Sequence, residues 1–486
     1  MRPLLVVLAV LALSGCALKP QTVDPDFAAV SAVASGASTP SPADYQHELQ
    51  SYQHDPAYAC RQPLYAAWFL RQGVAAAAPA PCAASVPFAV QTPDEGVRVV
   101  WIDPARVSAV HLLFAGNSPS PASRFGHVAL RLVVCPAADS SPASCDSNLA
   151  EHLVLSFQAH VDDFTLDVLK ALGGEYQARL FASRFMDSYE QYAIGEFREL
   201  YSLPLRLDVG QRQALVRDMA QIHWQFSGSY DFFTRNCATL LQQALRATWR
   251  EYAENPDMAE RFLRPDTLFA ALRDSPLAEG AALASLEQAE HDGFYFSSTR
   301  PFYDEALSRV RQHMPGDEFS SLQNYLEIAP QVRRHALEDP AYAERLTAES
   351  RTLDAQLMLE EYALFSSQRL LLGQAAQYLR RQDFSARATV LDPAHGEVFE
   401  TCFLRPLRQR IGPPRRTSGI PDSADRFSDL PAFAAQCRSE QARRLLTEAM
   451  LTVADDGSEQ WQQLNRLTRY RADTLDNIVF LRQLRP

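Results

Sequence analysis

The junction Tyr230-Asp-Phe-Phe-Thr-Arg-Asn-Cys-Ala-Thr-Leu-Leu241 constrains this chain more than any other stretch. An aromatic-rich, strand-like run ends at Asn236. Cys237 then opens an amphipathic helix, in which Leu241, Ala244, Leu245 and Thr248 recur at helical spacing. Cys237 is in phase with them, one turn before Leu241. Asparagine is a favoured N-cap, which places the thiol in the first helical turn. Unsatisfied amides and the helix dipole there favour a thiolate, the nucleophilic form of cysteine. The competing reading is a free cysteine packed in the core.

Cysteine usage bears on that choice. Met1-Arg-Pro and the apolar run Leu4 to Leu13 read as a secretory leader, too short to span a bilayer permanently. It ends Leu13-Ser-Gly-Cys16, which resembles the lipobox of bacterial lipoproteins. That resemblance implies cleavage before Cys16, a diacylglyceryl anchor on its thiol and, with Ala17 next, outer-membrane sorting. The chain has eight cysteines in an exported, oxidising context. With Cys16 lipidated and Cys237 a working thiol, six remain, as Cys60 and Cys82, Cys135 and Cys145, Cys402 and Cys437. Three local disulfides are the simplest of fifteen pairings, and they leave Cys237 without a partner.

Residues 16–44, rich in Ala, Ser, Thr and Pro, read as a flexible tether. Residues 45–96 read as a cap segment, helical to about Gln72 with Tyr58, Leu64, Trp68 and Phe69 as packing residues, followed by an Ala/Pro-rich loop. The main domain is expected over 97–278. Val97 to Ile102, Val110 to Phe114, His127 to Val133, Leu153 to His160 and Arg198 to Leu207 carry strand patterns. Gly126 permits close backbone approach just before His127. In a regular hairpin His127 faces Gln158 to His160, so a base and its orienting group can come from neighbouring strands. His160 is the first choice for that group and Gln158 the second. A lone strand histidine also suits a purely structural role. Gly173-Gly174 marks a turn into an irregular and helical stretch, and Asp208 is placed to cap a helix running to Trp224.

Phe125-Gly126-His127 with Leu130-Arg131, then Glu196 and Arg198, the Leu205/Leu207 pattern, Tyr230 and Asn236-Cys237, together resemble the Lnb N-terminal periplasmic domain family. Pro265 with Leu268 and Leu272 resembles its closing segment. The resemblance implies an α+β fold: a circularly permuted papain-like (NlpC-like) domain with an antiparallel sheet and a cysteine helix. It implies Cys237 as nucleophile, His127 as base and acyl chemistry through a thioester. His160 completes the expected catalytic set, and Arg131 and Asn236 are candidate substrate contacts. Arg198 is a further candidate, although both arginines also suit structural ion pairs. Tyr230 is expected to pack beneath the helix, and the Cys237 amide is a candidate oxyanion donor. The family's membrane-embedded C-terminal portion has no counterpart in this sequence.

Residues 279–486 are dominated by helical spacing, clearest from Leu353 to Leu379 and again over Ser439 to Val453 and Glu459 to Leu484. Nothing has metal-ligand spacing and no phosphate-binding glycine loop stands out, so neither metal nor cofactor is expected. A net charge of -12 argues against a nucleic-acid partner. Three functions fit: a lipid-anchored, periplasm-facing acyltransferase or hydrolase on an acylated lipid or lipoprotein; an NlpC-like peptidase or amidase on peptidoglycan peptides; and a non-catalytic binding scaffold.

Overall fold

The computed structural model describes residues 42–485 except 79, 93–95, 119–123, 161–175, 227, 232–233, 317–318, 381–390, 405–418, 422–436, 438 and 454–458. The leader, Cys16, nearly all of the tether and the Gly173-Gly174 turn lie outside the described residues. Within them the fold is mixed α+β, centred on a nine-stranded open sheet. Its strands are β1 (Val86–Thr92), β2 (Gly96–Ile102), β3 (Val107–Ala115), β4 (His127–Val134), β5 (Leu153–His160), β6 (Tyr176–Arg184), β7 (Leu200–Pro204), β8 (Gly228–Tyr230) and β9 (Tyr295–Phe296). They lie in the order β2-β1-β6-β5-β4-β3-β7-β9, with β8 also on β6.

The expected hairpin is present: β4 and β5 pair antiparallel, with Leu130 opposite Leu155 and Arg131 opposite Val154. The sheet is not antiparallel throughout, because β1 runs parallel to β6. That pair explains two strands the sequence left as loop or helix. The apolar run of β1 inserts beside β6 and is held there by His223. Its Nδ1–H donates to the Leu180 carbonyl (2.8 Å), and its Nε2 accepts from the Ala89 amide (2.9 Å). Burial keeps this imidazole neutral, with its pKa lowered to about 4. β1 and β9 lie beyond the 97–278 span expected for the sheet-bearing unit.

Alternation gives the central strands two covered faces. On one, Val110, Leu112, Val128, Leu130, Leu155 and Phe157 belong to the core that also holds helices Val209–Gln225 and Cys237–Thr248. On the other, Leu113, Ala115, Ala129 and Val154 pack with Phe185, Tyr192 and Leu200. The capping box at Asp208 is formed, with Gln211 as its partner. In the cap segment, Tyr58, Leu64, Trp68 and Phe69 are buried as expected. The segment is tied to the main domain by Gln221, whose side-chain oxygen accepts from the Leu64 amide (3.0 Å).

All three local disulfides are formed, and Cys237 is the one free cysteine among the described residues. The C-terminal region contains the long helix Ser350–Arg380 and helices Glu440–Val453 and Glu459–Gln483. Its interior includes a fully buried ion pair, Arg333 Nε to Glu360 Oε1 at 2.8 Å. Tyr325 and Thr474 complete the bonding of that pair, which meets the demand that buried charge be paired.

Candidate active site

Asn236 caps the cysteine helix from an extended backbone. Its Oδ1 accepts from the amides of Ala238 (3.0 Å) and Thr239 (3.2 Å), and its Nδ2 donates to the Leu263 carbonyl (2.7 Å). These bonds make Asn236 a helix cap and a tie to the next loop. Leu240, Leu241 and Leu245 are buried below. At about 1.5–3 kcal/mol per fully buried leucine, they anchor the first turn, and Cys237 with it.

Cys237 is 4 % exposed, and the amides of Val128, Ala238 and Cys237 face its sulfur. Val128 follows His127, so the strand start that carries the expected base also supplies a backbone amide at the sulfur. Gly126 makes that placement possible. Its φ is +83°, and a β-carbon there would stand 2.3 Å from the Phe114 ring and 2.7 Å from the Ala115 carbonyl. Tyr192 adjoins both groups: its ring lies 5.9 Å from that of His127, and its phenol is acted on by charge at Cys237.

The electrostatics correct the expectation of a resting thiolate. Burial pushes the Cys237 thiol up to about 11, outweighing the three amides and Arg198, which pull it down. Burial, assisted by Arg198, lowers the His127 imidazole to about 3. At rest the thiol and the imidazole are both neutral. The helix terminus acts as expected, but desolvation is larger.

The group on His127 is Ser156, whose Oγ lies 2.5 Å from Nε2. Sequence reasoning missed it. His160 continues β5, its backbone opposite Gln177, and its side chain lies outside the described residues. Ser156 shares a strand face with Gln158, so the period of two contained the signal, but hairpin geometry alone selected positions too near the strand end.

Arg131 is held inside the fold. It is 1 % exposed, with Nη2 donating to His152 Nδ1 (3.0 Å) and Nη1 to Ser202 Oγ (3.1 Å) and the Gly293 carbonyl (2.9 Å). Its guanidinium covers the Phe185 ring at 4.3 Å. The side chain is an internal tie between strands and the β9 segment. Arg198, likewise buried, donates from Nε to the Gly116 carbonyl (2.6 Å) and from Nη2 to the Ala115 carbonyl (2.8 Å). It pairs with Glu196 at 2.9 Å and lies over the Tyr192 ring at 4.9 Å. Ala115 is the residue opposite His127 on the β3–β4 ladder. Tyr230 is buried under the helix as expected, and the Cys237 amide also donates to its hydroxyl.

Residues 100–265 match the sequence profile of the Lnb N-terminal periplasmic domain. They belong to that family. The Lnb segment spans β3 to β8, the cysteine helix and the loop that Asn236 grips. Residues 279–486 lie outside it. No curated protein and no solved structure matches the chain. Among the described residues no helix is long and apolar enough to cross a membrane.

Proposed function

We propose that the Lnb domain is a thiol acyltransferase or hydrolase, with Cys237 as nucleophile and His127 as general base. The observation that carries this reading is the one unpaired cysteine among the described residues, set at a helix start with the Val128 amide of β4 at its sulfur while six others are bridged. The neutral pair suits a concerted step. With Nε2–H donating to Ser156, Nδ1 carries the lone pair. It takes the thiol proton as sulfur attacks an ester or amide carbonyl. The backbone amides around the sulfur are donors for the developing oxyanion. The imidazolium then protonates the departing alcohol or amine, leaving a thioester. An amine or water attacks that thioester with His127 again as base, and the thiol is restored.

The substrate we put first is an acyl chain on lipid or lipoprotein, the chemistry that the likeness to the Lnb domain implies, with a muropeptide second. The order of histidine strand before cysteine helix supports a circularly permuted papain-like arrangement. The leader and Cys16 support a lipid anchor, facing the periplasm from the outer membrane, with no nucleic-acid partner and no cofactor. The test is intact-mass analysis after incubation with a diacyl phospholipid or a diacylated peptide, and separately with a muropeptide digest. An acyl mass on Cys237 that is absent in Cys237→Ser and reduced in His127→Ala supports the proposal. Turnover of muropeptides alone selects the peptidase. Cys237 unmodified by either, with native folding intact, overturns the enzyme reading.

A further inference from the structure

Phe197 is the one described non-glycine residue with positive φ, at 53°. That backbone region is unfavourable for a residue with a β-carbon and persists where surrounding structure fixes it. The surrounding structure here comes from the helical region. The Phe197 ring stacks on Tyr362 of the long helix (5.3 Å, 28°) and meets Tyr303 edge-on (5.3 Å, 64°). The Arg300 guanidinium lies 5.3 Å from its centre, and its carbonyl accepts from Ser298 Oγ at 2.9 Å. The preceding residues 190–195 form a π-helix, and Thr299 Oγ1 donates to its Ala193 carbonyl (2.7 Å). Ala193 before the Glu196–Arg198 turn and Phe197 within it are therefore held by residues 298–362.

The next residue is Arg198, whose guanidinium holds the Ala115 carbonyl opposite His127. Accepting the nucleophile reading above, we propose that Phe197 is a positioning residue of the thiol site: gripped by Tyr303 and Tyr362, it holds Arg198 in place beside Cys237 and His127. The C-terminal helices thereby act on an active site to which they contribute no reacting group. The charged and titratable groups that act on the thiol are Tyr192 and Arg198 from the turn region and Tyr230 from β8, with Glu196 paired to Arg198.

The test reads local charge at Cys237 in the full chain. Alkylation rates with anionic iodoacetate and neutral iodoacetamide are compared, and their ratio reports nearby positive charge independently of accessibility. Arg198→Gln sets the reference fall in that ratio. Phe197→Gly keeps the backbone conformation but removes the ring. It is expected to lower the ratio about fivefold, as is Tyr362→Leu, while Phe197→Tyr restores it. Tyr362→Leu carries the test if Phe197→Gly does not fold. A ratio unchanged in the folded variants, where Arg198→Gln lowers it, overturns the positioning role alone. A wild-type Cys237 that neither reagent reaches in the native state overturns the nucleophile reading and this role together.

Discussion

A β-carbon on Gly126 would stand 2.3 Å from Cε2 of Phe114. The backbone before His127 thus lies against an aromatic ring that stacks in turn on Phe269 at 4.8 Å. Gly126→Ala combines a forbidden contact with a left-handed φ. It is expected to destabilise the domain by more than about 1–2 kcal/mol, read by denaturant unfolding, and to displace His127. Native-like stability in this variant would show that the turn relaxes freely.

Ser156→Ala removes the hydroxyl on His127 Nε2 while leaving the strand intact. Loss of that bond is expected to lower stability by about 0.5–1.5 kcal/mol and to slow acylation of Cys237 up to about tenfold. An unaltered rate would assign the orienting role elsewhere.

The raised thiol makes a pH prediction whose sign is fixed. Burial holds Cys237 protonated up to about 11, above its ordinary value. Its contribution to stability is full below the unfolded thiol pKa and is lost as pH rises from there through about 11. Wild type should therefore lose up to about 3 kcal/mol relative to Cys237→Ala between pH 8 and 11, measured by urea unfolding. Iodoacetamide labelling should rise across the same range without a plateau near neutrality. A plateau below pH 8 would mean that a thiolate forms at rest.

His152 and His223 give the opposite slope. Burial lowers each to about 4, so the stabilisation they allow is full above the ordinary histidine value and is lost as pH falls from there through 4. Each adds a slope of up to about 1.4 kcal/mol per pH unit in that window. Removing the His223 imidazole with His223→Gln should flatten the acid limb of stability by about one proton. An unchanged slope would show that this imidazole is protonated in the fold.

Arg131→Ala should destabilise by about 3–5 kcal/mol, because the acceptors on His152, Ser202 and Gly293 lose their donor in a buried setting. Lysine should not rescue it, since a single ammonium cannot reproduce the planar fork over Phe185. Thermal unfolding distinguishes this from a substrate-binding role, which would leave stability intact.

Much of this was legible in the chain. Strands β3 to β5 follow from alternation, and the disulfides from local cysteine spacing. The capping roles of Asp208 and Asn236 follow from residue type and position. What escaped has physical causes. β1 pairs with β6 across long sequence separation, and His223, which holds them, looks like any helical histidine. Ser156 shares its strand face with Gln158, and the hairpin register carried on to His127 runs to Gln158, so only the side-chain geometry puts Ser156 on the imidazole. Thiol protonation depends on how much polypeptide covers Cys237, a quantity that local pattern does not contain.

That covering has a chemical consequence. Disulfide exchange proceeds through the thiolate and requires access to sulfur. A protonated Cys237 at 4 % exposure is a poor participant on both counts. Once the three bridges have formed, the same enclosure that makes the thiol sluggish at rest keeps it from being captured by a wrong partner or oxidised. Its shelter is its shelf life.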